Sequence, residues 1–212
     1  MQKTALKIGI TGGIGSGKTT VCRIFESIGA PVYYADDRAK ALLESDPAIL
    51  SGLEKLFGPE VFGEDGKPDR KAIAKVVFSD KEKLNELNNL IHPRVGQDWS
   101  GWYRGRALDY PYVLKEAALL FESGSYKQLD RLICVAAPED LRIERVVKRD
   151  GVSPEEVKAR MDNQLSQELK MALSDHLIKN DGSLSLVKQV VSLHRLFCNL
   201  SKSSEINRRT KE

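Results

Sequence analysis

Residues 8–19 read Ile-Gly-Ile-Thr-Gly-Gly-Ile-Gly-Ser-Gly-Lys-Thr, and Gly12 through Thr19 fit the spacing Gly, four residues, Gly-Lys-Thr. That spacing builds a phosphate cradle. Glycines adopt backbone dihedrals that other residues avoid, so successive N–H groups turn inward on one anion. Lys18 then brings an ammonium group to the β- and γ-phosphates of a nucleoside triphosphate, and the Thr19 hydroxyl is placed to coordinate magnesium. The motif narrows the chemistry to phosphoryl transfer or nucleotide hydrolysis.

The flanks agree with it. Leu6 to Ile10 is a short apolar run suited to a buried strand, and Val21, Ile24, Phe25 and Ile28 recur at helical spacing until Gly29. Strand, glycine loop and helix therefore follow in the order a phosphate loop requires, and the helix N-terminus adds its partial positive charge.

Working outward, four further stretches have strand character: 31–35, 112–116, 132–136 and 176–179. Asp37 is suited to cap a helix carrying Ala39, Leu42 and Leu43 on one face, and 45–70 holds several turns, including Gly58-Pro59 and Glu64-Asp65-Gly66-Lys67-Pro68. Leu84, Leu87, Leu90 and Ile91 mark a helix that should end near His92, because Pro93 disfavours helical geometry before it; Pro93 then starts another with Val95, Trp99, Trp102 and Tyr103 on one side. Pro138 suits a first helical position ahead of Glu139 and Asp140, and Asp150-Gly151 breaks that helix. Ser153-Pro154-Glu155-Glu156 is a capping box, and a last helix over 184–199 precedes a polar tail from Ser201. Five strands separated by helical segments imply an α/β fold with a five-stranded parallel sheet. The segment 37–107 reads as a mainly helical insertion between two strands of the core.

Composition sets the bounds. With 30% charged and 41% hydrophobic residues the chain is an ordinary globular protein, and a net charge of +3 is too slight to argue for nucleic acid. Cys22, Cys134 and Cys198 are widely separated, and no pair has metal-ligand spacing. Cys22 and Cys134 fall in apolar-periodic segments and read as buried free thiols, which suits a reducing compartment. The first strand begins within a few residues of Met1 with no signal-type apolar core, and no run approaches a membrane span, so a cytoplasmic protein is expected. His92, His176 and His194 do not cluster, and structural roles are favoured for the last two.

Beyond the loop, several positions could carry chemistry. Asp36 closes the second strand at the sheet edge where open α/β folds bind ligands, so it either accepts or orients the proton of an attacking hydroxyl or serves as a loop or capping carboxylate. Glu116, at the end of the third strand, is either a magnesium-shell acid or a buried partner for Lys18 or a loop amide. Arg142, Arg145 and Arg149, spaced i, i+3 and i+7, share one helical face and form either a phosphate grip or a solvated stripe; the neighbouring nucleotide loop favours the grip. A guanine-reading Asn-Lys-x-Asp motif is lacking, which argues against a GTPase-like switch, and the basic tail at Arg208, Arg209 and Lys211 is short and mixed with acids. A nucleoside monophosphate kinase shares the cradle and an arginine-bearing lid and stays as the rival enzyme.

Taken together, the residues resemble the dephospho-coenzyme A kinase family over residues 6 to about 195. The similarity lies in the loop Gly9–Thr19, Tyr34-Ala35-Asp36, Ile91-His92-Pro93, Leu119-Leu120-Phe121-Glu122, the stretch Arg142–Asp150 with Gln164, and Asp175 with Asn180-Asp181-Gly182. Two departures stand out: Tyr34 replaces the first of two family aspartates, and Glu116-Ala117-Ala118 replaces a proline-containing turn.

The resemblance implies a three-layer phosphate-loop kinase fold. Its nucleotide-binding core would comprise 1–36, 108–137 and 170–200, with a helical substrate-side insertion over 37–107, a small helical lid over 138–169 and a flexible tail over 201–212. It implies transfer of the γ-phosphate of ATP to the 3′-hydroxyl of the ribose of dephospho-coenzyme A, with magnesium. The triphosphate would be held by Gly13, Ile14, Gly15, Ser16, Gly17, Lys18, Thr19 and Thr20, with Arg142, Arg145 and Arg149 closing from the lid. Asp36, Lys18 and Arg142 would be the catalytic groups, Asp36, His92 and Leu119 the acceptor side, and Thr19 and Glu116 the metal side. For His92 a helix-terminal capping role is equally open. No nucleic-acid or membrane partner is implied, and a monomer or weak homo-oligomer is the expected assembly.

Overall fold

In the computed structural model, residues 4–209 are described. They form two compact units: one runs to Tyr34 and resumes at Tyr103, and the other is Ala35–Trp102.

The first unit is built on five parallel strands, β1 (Leu6–Thr11), β2 (Val32–Tyr34), β3 (Tyr112–Glu116), β4 (Arg131–Ala136) and β5 (His176–Lys179), in the order β2-β3-β1-β4-β5. The predicted parallel sheet is present with all five strands within a residue or two of their expected bounds. The central strands are buried on both faces, so they read as continuous apolar runs rather than alternating ones. One face packs Ile8, Ile10, Leu114, Ile133, Val135 and Ile178 against α1 (Lys18–Ser27) and α9 (Leu186–Arg209). On the other face Gly9 leaves room for the side chains of Leu120, Leu129 and Leu132; a Cβ there would press into all three. The strand carrying the loop thus packs closely against the stretch that follows β3.

Three helices complete this unit: α6 (Glu139–Asp150), α7 (Pro154–Asp162) and α8 (Gln167–Ala172). Gly151 ends α6 in the left-handed conformation, and the capping box at Ser153 and Glu156 is fully formed. Pro138 is the N-cap residue of α6 rather than its first helical residue. The helix expected over 184–199 extends to Arg209, so the segment expected to be a tail from Ser201 is helical through Arg209. Ser201 continues the buried stripe of Val190 and Phe197 and is itself buried, which extends the packed face by a turn.

The second unit is helical and has its own core of Ile49, Leu53, Phe57, Val61, Ile73 and Leu87. It differs from expectation in three places. Helix α2 starts at Ala35 and runs to Ser45, so Asp36 and Asp37 both lie in its first turn, and Asp37 pairs with Lys40 instead of capping. The stretch 45–70, for which only turns were named, also contains α3 (Pro47–Phe57), capped by Asp46, whose carboxylate accepts from the N–H groups of Ala48 and Ile49. Helix α4 (Arg70–Ser79) follows a short 3-10 turn. Last, Pro93 does not divide two helices: α5 runs unbroken from Lys81 to Arg104. The missing N–H of Pro93 leaves the Asn89 carbonyl without a helical donor, but Asn89 lies on an exposed face where water can serve it. His92 therefore sits in mid-helix, which rules out the helix-end role.

Candidate active site

The phosphate loop owes its shape to two left-handed residues, Gly15 at φ 77° and Gly17 at φ 92°, values that side-chain-bearing residues rarely adopt. Gly17 is also the N-cap of α1 and provides no side-chain cap, and the first turn contains no acid. The N–H groups of Lys18, Thr19 and Thr20 therefore open α1 without an intrahelical acceptor, an arrangement that favours an anion. Lys18 Nζ lies over the loop, donating to the Gly12 carbonyl at 2.9 Å and the Gly13 carbonyl at 3.4 Å.

Side chains from distant segments fasten the loop from outside. Ile14 N–H donates to Gln164 Oε1 at 3.1 Å, Asn180 Nδ2 donates to the Ser16 carbonyl at 2.8 Å, and Arg145 reaches the Gly15 carbonyl at 3.4 Å and the Asn180 carbonyl at 3.0 Å. Arg142 packs its guanidinium against Gly13 where any Cβ would intrude. Arg142 is only 6% exposed, and its Nε has no hydrogen-bond partner; the buried Ser16 hydroxyl is likewise unsatisfied. Two orphaned buried polar atoms beside one loop fit a polar ligand that would satisfy them.

The expected arginine trio is divided. Arg142 and Arg145 meet the loop, but Arg149 does not join them: its guanidinium forks onto Asp150, which also receives Arg160. The i+7 spacing places it on the same face, yet at the last turn of α6 the adjacent Asp150 captures it.

Glu116 is buried at the end of β3 on the face that packs α1. Burial raises the thiol of Cys22, the charges of Glu116 and Glu26 add to that, and Lys18 opposes it, so all four groups share one electrostatic neighbourhood along α1. Tyr34 turns its hydroxyl to Glu26 of α1 and donates to it at 2.9 Å. Thr19 is exposed at the second position of α1, and Leu119, in the turn after β3, is also exposed. Asp36 and His92 are exposed and belong to the second unit, Asp36 two residues beyond the last residue of β2.

Some supporting groups were not among the expected site residues: Lys170 and Gln167 gave no signal in the sequence, and Glu122 and Asp175 entered only through the resemblance. Lys170 is fully buried, donating to the Ala118 carbonyl at 2.8 Å and pairing with Glu122, which also accepts from Leu165 N–H. Gln167 bonds both backbone groups of Ala137, and Asp175 accepts from Leu132 N–H. A lysine in an amphipathic segment reads as surface, so only its burial reveals it. The two histidines expected to be structural are so: His194 Nδ1 lies 2.7 Å from the Tyr112 hydroxyl, and His176 stacks edge-on against Phe197. Cys22, Cys134 and Cys198 are free thiols. Among the described residues no helix is long and apolar enough to cross a membrane.

Comparison with known proteins gives concordant matches. The family model described as dephospho-CoA kinase matches residues 6–185. A dephospho-CoA kinase of Chlorobaculum tepidum is 44% identical over 191 residues, covering 88% of this chain and 91% of that protein. One from Bacteroides fragilis is 39% identical, covering 89% and 91%. Among solved structures, a Thermus thermophilus protein superposes with a TM-score of 0.82 at 36% identity, covering 92% of this chain and 98% of that one. The dephospho-CoA kinase of Campylobacter jejuni superposes at 0.66 and 29%, covering 96% and 100%.

Proposed function

This chain belongs to the dephospho-CoA kinase family and is an ATP-dependent kinase, and from that premise we propose how its residues divide the work of moving the γ-phosphoryl group of ATP to the 3′-hydroxyl of the dephospho-coenzyme A ribose. The nest from Gly13 to Thr20 holds the triphosphate through backbone N–H groups other than those of Ile14, which donates to Gln164, and Ser16, which donates to the Gly13 carbonyl, with Lys18 leaving the Gly12 and Gly13 carbonyls for the β- and γ-oxygens. Arg142 adds a guanidinium to the charge that develops on the transferred group, and Arg145 braces the loop. The lid helices carrying them exclude water that would otherwise hydrolyse ATP. Arg149 reaches the phosphates only by leaving Asp150.

Asp36 accepts or orients the proton of the acceptor hydroxyl. Its support is its place on the chain, just past the carboxyl end of a strand of this parallel sheet, where α/β folds bind ligands. His92 and Leu119 contribute to the acceptor side.

Magnesium is the fitting metal. The Thr19 hydroxyl and the Glu116 carboxylate are hard oxygen donors, and among the described residues no cluster of three or more His, Cys, Asp or Glu side chains could cage an ion. That pattern suits an ion held by one or two protein oxygens together with substrate phosphates. When bound, magnesium would supply positive charge that offsets the negative charge of the phosphates. With Tyr34 turned to Glu26, Glu116 is the acid left to carry this role. We place the enzyme in the cytoplasm, consistent with its free thiols, as a monomer or weak homo-oligomer without nucleic-acid or membrane partners.

The observation carrying this reading is the pair of buried, unsatisfied donors beside the loop, Ser16 Oγ and Arg142 Nε. Incubation with ATP, magnesium and a panel of acceptors, followed by ADP release, tests it. Release dependent on dephospho-coenzyme A is expected; turnover with AMP alone overturns it in favour of a nucleoside monophosphate kinase.

A further inference from the structure

We propose that Asn180 is a positioning residue of the phosphate loop: its side-chain amide fixes the orientation of the Ser16–Gly17 peptide so that the Gly17 N–H faces the phosphates, and its carbonyl holds Arg145 against the same loop. The inference rests on the reading of this loop as the ATP cradle.

Asn180 stands one residue past β5 and makes three separate attachments. Its own N–H donates to the Ala136 carbonyl at 2.7 Å, which ties it to the end of β4. Its Nδ2 donates to the Ser16 carbonyl at 2.8 Å. Its carbonyl accepts from Arg145 Nη2 at 3.0 Å, and the other arm of that guanidinium reaches Gly15. One residue thereby links the rigid sheet, the arginine helix and the glycine loop across 164 positions of sequence.

The direction of the middle bond matters most. A trans peptide is planar, and its C=O and N–H point to opposite sides. A donor that grips the Ser16 carbonyl from outside the loop therefore commits the Gly17 N–H to the inside. Without such a grip this peptide is free to flip, because Gly17 tolerates both signs of φ. The contact is also shaped for glycine: a Cβ on Gly17, already at φ 92°, would collide with Asn180 Nδ2. The bare backbone at Gly17 and the amide at Asn180 are thus one fitted pair, and the amide can only present its NH2 to a carbonyl.

Asn180→Asp discriminates between positioning and a purely structural role. It keeps the shape and the loop-forming habit of Asn but replaces the donor with a carboxylate that opposes the Ser16 carbonyl. We expect the dissociation constant and KM for ATP to rise about tenfold or more, the KM for dephospho-coenzyme A to change less than about threefold, and Tm to move by no more than about 2 °C. Asn180→Ala, which removes the donor without repulsion, is expected to shift ATP binding in the same direction by less, and it decides the matter should the Asp variant not fold. Wild-type ATP binding in both variants, or parallel loss for both substrates with a lowered Tm, overturns the proposal. Lys18→Met is measured alongside. If it abolishes ATP binding while Asn180→Asp and Asn180→Ala do not, the positioning role alone is wrong; if Lys18→Met binds ATP normally, the reading of the loop is wrong and the inference falls with it.

Discussion

Lys170 and Glu122 meet at 2.9 Å with the lysine side chain wholly removed from solvent, which fastens the turn after β3 to α8, while Leu165 N–H, just before that helix, donates to the same carboxylate. Removing one member of a buried pair leaves the other charge uncompensated. Lys170→Met is therefore expected to lose about 3 kcal/mol of stability, and Lys170→Met with Glu122→Gln less than the sum of the two single changes. Denaturant midpoints of the four proteins measure this, and additive effects would refute the coupling. Burial by itself raises the Glu122 carboxyl, but the hydrogen bonds from Lys170 and Leu165 hold it below the ordinary range. A carboxyl lowered by folding stabilises above its unfolded value and loses that contribution as pH falls through the folded one. The difference between wild type and Lys170→Met should narrow in acid.

Lys18→Ala and Arg142→Ala should each reduce kcat/KM by about 10²–10³, or ~3 kcal/mol of barrier, the loss typical of a group that stabilises developing charge. Arg149→Ala should lose less, since that guanidinium is held on Asp150. Steady-state kinetics rank the three; a larger loss at Arg149 than at Arg142 would reverse the assignment.

Asp36→Asn keeps the size of the side chain and removes its basicity. The expected outcome is a fall in kcat of roughly 10²–10⁴ with little change in ATP affinity. Equal loss of both, measured by turnover and nucleotide titration, would assign Asp36 a structural role.

Burial brings the ammonium of Lys115, on β3, down to about 8. A lysine lowered by folding binds fewer protons in the folded than in the unfolded chain between that value and the ordinary lysine value of 10.5, so stability rises with pH across this window. Lys115→Met removes the titration. Its advantage over wild type should be largest below pH 8, on the order of 2–3 kcal/mol, and should shrink as pH approaches 10.5. Urea midpoints of both proteins across that range provide the check, and a constant difference would show that Lys115 does not titrate there.

The phosphate loop, the five strands, the capping box and the stop at Gly151 could all be read from the sequence because each is a local demand. Glycine dihedrals, apolar runs and capping side chains act within a few residues of themselves. The same locality misled at Pro93. Its effect on its neighbours was legible, but not the unbroken helix from Lys81 to Arg104 in which it sits. At Asp46-Pro47 the cap signal for α3 was present but was absorbed into the surrounding turns.

What the chain determined alone is that a phosphate loop opens a parallel sheet, and that the arginines of one helix could serve it. Which arginines do so was decided by the tertiary structure. Arg142 and Arg145 find Gly13, Gly15 and Asn180, whereas Arg149 finds the Asp150 beside it. The burial of Lys170, the turn of Tyr34 to Glu26 and the grip of Asn180 on Ser16 were decided in the same way. Helical spacing fixes the face on which a side chain emerges, but its partner depends on which distant segments the folded sheet brings within hydrogen-bond reach.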